Sequence, residues 1–318
     1  MTRVVLLALG RLALLAAAVA LLAFTLPRAL PGSPLVAPEV LLLPGAAHQR
    51  LQETYGLRRP WHRQLVDYAS RLARLDLGTS LVTHRPVREM LRERLGWTAL
   101  LVGVAWSAAA VVGSALGTLA AVRSSSGAVR GLVGVCVVVA SAPEFAVAMV
   151  LILAFSVWLP VFPAGGVPWA SAGPGGLWER LVEVTRYATL PAAALAASAL
   201  PGFALTSRSL LAAVLAEPFV LAAQARGLPG WRVLAHAWRP ALAPFLTWAG
   251  LRLVTLVTGA AAVERVFNYP GLGSLLFDAV VQRDYPVIEG VFLVGSWSVL
   301  VAAALLEVVA RAVDPRLR

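Results

Sequence analysis

Long apolar stretches separated by charged or glycine- and proline-containing segments divide the chain into six candidate spans, at about 4–26, 96–122, 129–158, 188–214, 241–263 and 286–309. Each is long enough to cross the hydrocarbon layer of a bilayer, roughly 30 Å thick, as a helix. Backbone in lipid must satisfy its own hydrogen bonds, which favours helices. Strands of a membrane barrel would be shorter and would alternate in polarity. The first stretch has the basic start and apolar core that a cleaved signal peptide also shows. It runs from Val4 to Leu26 with only Arg11 interrupting it. At 1.5 Å per residue that is about 35 Å of helix. With more spans following, it reads as an uncleaved first span.

The segment 27–95 between the first two spans is polar and rich in arginine, and it carries signals for short helices. Over 64–75, Leu65, Tyr68, Ala69 and Leu72 keep a helical spacing. Such a helix either rests on a membrane surface or packs within a small cap outside the membrane; the second reading is favoured. Arginines in the short connections set the orientation: Arg3 and Arg11, Arg123 and Arg130, Arg208 to Arg239, and Arg311 to Arg318. With six spans, all of them fall on one side, which the positive-inside rule makes cytoplasmic. The first external segment holds eleven further arginines from Arg28 to Arg94. It is longer than the loops over which charge sets orientation.

The stretch EPFVLAAQARGLPGWRVLAHAW, 217–238, therefore faces the cytoplasm. Gly227 and Pro229 break it in two. In the second part Trp231, Leu234, Ala235 and Trp238 share a helical face, with Arg232, His236 and Arg239 on another. This predicts a short two-sided helix between spans. It either lies among lipid headgroups or docks a cytoplasmic partner.

Composition agrees with a membrane protein. Of 318 residues, 59% are apolar and only 14% charged, with mean hydropathy +0.78, whereas soluble domains are about a quarter charged. The net charge of +11 sits between apolar blocks, which suits lipid headgroups and not nucleic acid. Cys136 is the only cysteine, so no disulfide within the chain can form. The histidines at 48, 62, 84 and 236 show no zinc-site spacing. GLGS at 271–274 lacks the lysine of a phosphate-cradling loop and is predicted outside. No hydrolytic constellation is evident, and no catalytic residue, cofactor or metal ligand is assigned.

Several motifs together resemble the permease subunits of ABC importers, specifically the dipeptide/oligopeptide (and nickel) permease family, over nearly the whole chain. In the 217–241 stretch, Glu217, Ala222, Ala223, Ala225 and Gly227 match the cytoplasmic signature, with His236 and Ala241 further along. LPRALPGSP at 26–34, LDLGTS at 75–80 with RPVREMLRERLGWTAL at 85–100, and SAPEF at 141–145 match other family elements. ERVFNYPGLGSLLFDAVVQRDYPVIEG at 264–290 matches best, through Pro270, Gly271, Gly273 and Asp284-Tyr285-Pro286. The terminal VDPRLR also fits. Departures are Ser33 and Glu307 where aspartate is common, Ala303 and Ala310 for asparagine and tyrosine, and Glu144 at a usually small or hydroxylated position. They bear on substrate more than on fold.

The resemblance implies an all-α polytopic membrane protein with six transmembrane helices in the type I ABC importer permease arrangement. An N-terminal span (1–26) and an external segment with short helices (27–95) would precede a five-span permease core (96–318). The region 217–239 would be the coupling region, seated in a groove of an ATP-hydrolysing subunit, with Trp231 added as a candidate docking side chain. Implied partners are a second homologous permease, two cytoplasmic ATPase subunits carrying ATP and magnesium, an external solute-binding protein and membrane lipid. The place is a bacterial or archaeal cell membrane, the inner one where there are two. The cargo would be a peptide; nickel or another solute is the alternative, followed by a passive pore or exporter half, and then a membrane enzyme or signalling component.

Candidate pathway or gate residues are Pro143, Glu144, Phe267 and Tyr269. Pro143 bends the third span, either shaping a cavity or as a static kink. Glu144, predicted near the membrane middle, either lines a cavity that favours cations or makes a packing contact. Phe267 and Tyr269 either meet the binding protein or plug the cavity, or anchor the interface.

Overall fold

The structure, a computed structural model, describes residues 2–29, 59–166 and 176–313. The motif around Ser33, His48 and the terminal residues 314–318 lie outside the described residues, as do the side chains at 303, 307 and 310. Described elements are helical: α1 (Thr2–Ala29), α2 (Trp61–Ala73), α3 (Val87–Val122), α4 (Gly127–Ala140) and α5 (Glu144–Ile152), which continues as a π-helical turn, Leu153–Trp158. Then come α6 (Leu177–Leu215), α7 (Pro218–Ala225), α8 (Gly230–Val266), α9 (Leu272–Gln282) and α10 (Tyr285–Val313). Among the described residues, four helices are long and apolar enough to cross a membrane: α3, α6, α8 and α10 over Tyr285–Leu306. The pair Gly127–Ala140 and Glu144–Trp158 makes a fifth if it is one broken span. The molecule is an all-α polytopic membrane protein.

Two expectations need correction. The third apolar stretch is not one bent helix: its two halves meet at 104°. Proline disfavours helical backbone in the residue before it and has no N–H to donate. The helix therefore ends at Ala140 and restarts with Pro143 as N-cap. Nor is there a separate helix over 231–239. The chain from Gly230 runs unbroken through Pro240 and Pro244 to Val266. Its inner stripe is Val233, Ala237 and Ala241, while Trp231 and Ala235 are exposed.

The chain forms two compact units. Unit one comprises Met1–Trp97 and Gly271–Ser298. Its core joins Val87 and Leu91 of α3 to Leu272, Leu275 and Ala279 of α9 and Tyr285, Ile288 and Val291 of α10. A second cluster sets Phe24 of α1 against Tyr68 of α2, ring centroids 5.4 Å apart, with Leu65 and Leu72 packed around them. Helix α2 is thus a packed helix. Burial, with the Glu289 carboxylate nearby, raises the Tyr68 phenol pKa above its ordinary value.

Unit two comprises Thr98–Pro270 and Val299–Arg318. Its centre is Phe203 of α6, with Trp106, Phe245 and Trp248 around it at 5.1–6.0 Å. Trp106 Nε1 donates to the Ala249 carbonyl at 3.0 Å. Helices α3 and α6 approach closely at Gly113 and Gly117: a Cβ at either would overlap backbone of Leu200 or Ala204. That is the small-residue contact by which helices associate in lipid, where burial from water offers no drive.

Candidate functional site

Helix α7 lies between α6 and α8 and is closed at both ends by local chemistry. Glu217 is the N-cap, and Pro218 stands next, where a missing N–H costs nothing. At the other end the Gly227 N–H donates to the Gln224 carbonyl at 2.9 Å and the Leu228 N–H to Ala223 at 3.3 Å. This paired closure, a Schellman motif, needs a left-handed residue, and Gly227 has φ +71°. A Cβ there would meet no atom within 4 Å. The glycine is needed for its backbone conformation, not for close approach within this chain.

One side of α7 is anchored. Val220 is fully buried with Leu211, Val233, Ala237 and Ala241, and Ala223 and Leu228 pack against them. The other side is bare. Phe219 and Leu221 are 46% and 57% exposed, and Glu217, Ala222 and Ala225 are exposed too. Trp231, at the start of α8, is 68% exposed, with the Arg232 guanidinium 5.1 Å from its ring centroid. The five residues of the sequence signature and Trp231 therefore lie on one short segment, and Ala223 alone among them turns partly inward.

The other candidates are spread through unit two. Glu144 opens α5, and its carboxyl group lies against Gly259 of α8, where a Cβ would come within 3.2 Å of it. Pro143 is exposed at the break. Phe267 and Tyr269 are 1% exposed and sit in a tight corner after α8. The Gly166 N–H donates to the Phe267 carbonyl at 3.0 Å, and the Tyr269 N–H to the Glu264 carbonyl at 2.8 Å. In this conformation neither ring offers a surface to a partner. Burial raises the Tyr269 phenol pKa as well.

Sequence reading passed over several polar partnerships. Glu264, fully buried, accepts from Thr98 Oγ1 at 2.6 Å. In unit one, Asp284 accepts from the Ser80 hydroxyl and, at 3.0 Å, from the Leu81 N–H. The GTS and DYP motifs, quoted separately from the sequence, are therefore two halves of one clamp. Arg28 of the LPR motif pairs with Glu289 at 2.5 Å and also donates to the Phe24 carbonyl at 2.6 Å. Arg28, Leu81 and Glu289 border a polar cavity of about 540 Å³, whose lining includes Arg59, Asp67, Arg71 and Asp76. Motif co-occurrence was the available signal, since no local pattern links residues some two hundred positions apart. Among the described residues, no group of three or more His, Cys, Asp or Glu could hold a metal.

The chain is thus an all-helical membrane protein with one short helix that is anchored on one side and bare on the other. Comparison with known proteins specifies the class. The family described as binding-protein-dependent transport system inner membrane component matches residues 113–318. The chain is similar to the oligopeptide transport system permease protein AppB of Bacillus subtilis (strain 168), 31% identical over 301 residues and 94% of each chain. It is also similar to the glutathione transport system permease protein GsiC of Salmonella choleraesuis (strain SC-B67), 33% identical over 307 residues and 94% of each. The chain belongs to the binding-protein-dependent transport permease family. It is a multi-pass membrane permease subunit of an ABC importer, a transport subunit and not an enzyme.

Proposed function

We propose that this chain forms half of a translocation path for peptides and that α7 couples it to an ATPase subunit. The names of its relatives, one an oligopeptide and one a glutathione permease, support the peptide reading. The observation that carries coupling is α7 itself: anchored through Val220, closed by Gly227, and bare at Phe219, Leu221, Ala222 and Ala225. An apolar surface beside water suits a protein partner's groove. ATP and magnesium belong to that partner.

In this reading α1 joins the five other spans to give six, with both termini and α7 in the cytoplasm and residues 27–95 and 264–285 outside. A second homologous permease completes the path, and an external binding protein delivers the solute. ATP binding draws two ATPase subunits together, the two α7 helices follow, and the helices anchored to them change their crossing. Hydrolysis reverses the movement. Pro143, Glu144, Phe267 and Tyr269 remain candidate pathway or gate positions.

Single-cysteine variants made in Cys136→Ala test the topology with an impermeant thiol reagent on sealed cells. Cysteines near Gln52 and Asp278 should label from outside. A cysteine at Arg226 should label only after lysis; strong external labelling there would reject the arrangement. Nickel transport without peptide transport by the assembled complex would overturn the cargo reading.

A further inference from the structure

Arg252 lies within α8, a candidate membrane span, and sequence reading passed over it. Its guanidinium is poorly satisfied. Nη1 donates to Thr255 Oγ1 at 3.3 Å and Nη2 to the Ser198 carbonyl at 3.5 Å, both long. Nε is buried and has no hydrogen-bond partner. A guanidinium has five N–H donors and favours a carboxylate that can accept two at once. Among the described residues no ion pair joins Arg252 to a carboxylate. A static structural arginine in lipid would be expected to have such a partner or well-placed backbone carbonyls, and the carbonyl that Arg252 reaches is 3.5 Å away.

The face that carries Arg252 also reaches Glu144. Thr255 and Gly259 follow it at spacings of three and seven, so all three share one side of α8. The guanidinium extends toward Thr255, and the Glu144 carboxyl group rests at Gly259, one turn further along, a rise of about 6 Å. Thr255 is exposed and Arg252, Gly259 and Glu144 are half-buried, so this polar strip is open along its length. Lipid is a costly neighbour for it. Water or a passing polar solute is not. Glu144 also sits in the first turn of α5, where the helix dipole favours a negative charge.

We propose that Arg252 and Glu144 form a two-charge cradle in the pathway, Arg252 taking the carboxylate and Glu144 the ammonium of a short peptide with free termini. The separation suits such a solute: two extended residues span about 7 Å. The cradle rests on the peptide-import reading and adds to it that both termini must be unblocked. It also changes the role expected of Glu144 alone, from general preference for cations to one half of a zwitterion site. Arg252 is a specificity residue here, not part of the coupling machinery.

The test uses the whole complex in proteoliposomes, with saturating binding protein loaded with dialanine or with dialanine amide. For each cargo, uptake by a variant is divided by uptake by the unsubstituted complex, which cancels differences in delivery. Arg252→Gln should lower dialanine uptake about tenfold, as expected for loss of one charge-assisted contact, and change amide uptake less than about twofold. Arg252→Lys, which keeps the charge, should retain most dialanine uptake. Glu144→Gln should discriminate in the same way between dialanine and its N-acetyl form. Copurification of the ATPases reports assembly. Equal loss of free and capped cargo, or equal loss in the Gln and Lys variants, would make Arg252 structural and overturn the cradle. Unchanged uptake in Arg252→Gln would overturn it too. If capped cargo is not taken up at all, the Gln–Lys comparison decides. An unsubstituted complex that imports neither peptide overturns the peptide reading itself, an outcome distinct from the others.

Discussion

Helix α7 is fastened to unit two by packing alone: Val220, Ala223 and Leu228 rest on Leu211, Val233, Ala237 and Ala241. Its N-cap makes no side-chain hydrogen bond, and its C-terminal closure uses only backbone groups. Unit one is fastened differently. Arg28 with Glu289, and Asp284 with Ser80 and Leu81, join segments more than two hundred residues apart through directional bonds, the first partly and the others fully buried. Packing is non-directional, so α7 is held on its inner side alone and the side chains of its outer side stay free. Polar clamps fix register where segments far apart in sequence must meet in one way. One region is held by packing and the other by directional bonds, and the difference predicts which substitutions loosen a single helix and which unsettle a whole unit.

The largest effect is expected at the ion pair. Arg28→Met leaves the Glu289 carboxylate buried without its partner and should destabilise by about 3 kcal/mol, read as a lower unfolding temperature of the detergent-solubilised protein. Arg28→Met with Glu289→Gln should recover much of that loss, because no uncompensated charge remains. Failure of the double variant to recover would point to packing of Arg28 on the Phe24 ring, 3.6 Å from its guanidinium carbon. Asp284→Ala comes next, at about 2–3 kcal/mol, since it strands the Ser80 hydroxyl and the Leu81 N–H. Asp284→Asn keeps an acceptor and should cost less.

In helix α7, Val220→Ala should cost about 2 kcal/mol through the cavity it leaves. The loss should be local: hydrogen exchange should quicken in α7 and not in α9 or α10. Equal quickening in unit one would erase the contrast between the two regions. Gly227→Ala is smaller, about 1 kcal/mol, from a Cβ held at positive φ in open space. It should fray the end of α7 and lower transport without removing the protein from the membrane.

How much of this was legible depends on the range of the interaction. Helices α3, α6, α8 and α10 follow from long apolar runs, and the turn at Gly227 from glycine and proline at fixed places. The signature from Glu217 to Gly227 marked the surface segment but not its architecture. Large residues drew attention to Trp231 and Trp238, whereas Val233, Ala237 and Ala241 face inward, because close helix packing favours small side chains. The helix also runs through Pro240 and Pro244, since a long helix absorbs the loss of single hydrogen bonds when neighbours support it. Pro143 suggested a kink where the chain turns by 104°. The clamp of Ser80 by Asp284 depends on tertiary folding and leaves no local trace. Arg252 was visible as a charge inside an apolar run, and its missing carboxylate became visible only in three dimensions.

The smallest effect on stability should accompany one of the clearest effects on function. Leu221 is 57% exposed on α7, beside the anchored stripe but not in it. Leu221→Ser removes apolar surface from water, so the free subunit should change by less than about 0.5 kcal/mol. In an ATPase groove the same side chain would be desolvated, and interface anchors of this kind commonly cost more than 1 kcal/mol when truncated. Copurification of the ATPase subunits should therefore fall while unfolding temperature and membrane abundance hold. Val220→Ala should show the reverse order, losing stability first. A Leu221→Ser protein that keeps its ATPases and its transport would mean that the bare side of α7 lies among lipid headgroups, where an exposed leucine needs no protein partner. Equal unfolding losses in the two variants would mean that α7 has no separate inner and outer sides, contrary to the burial of Val220 beside the exposure of Leu221.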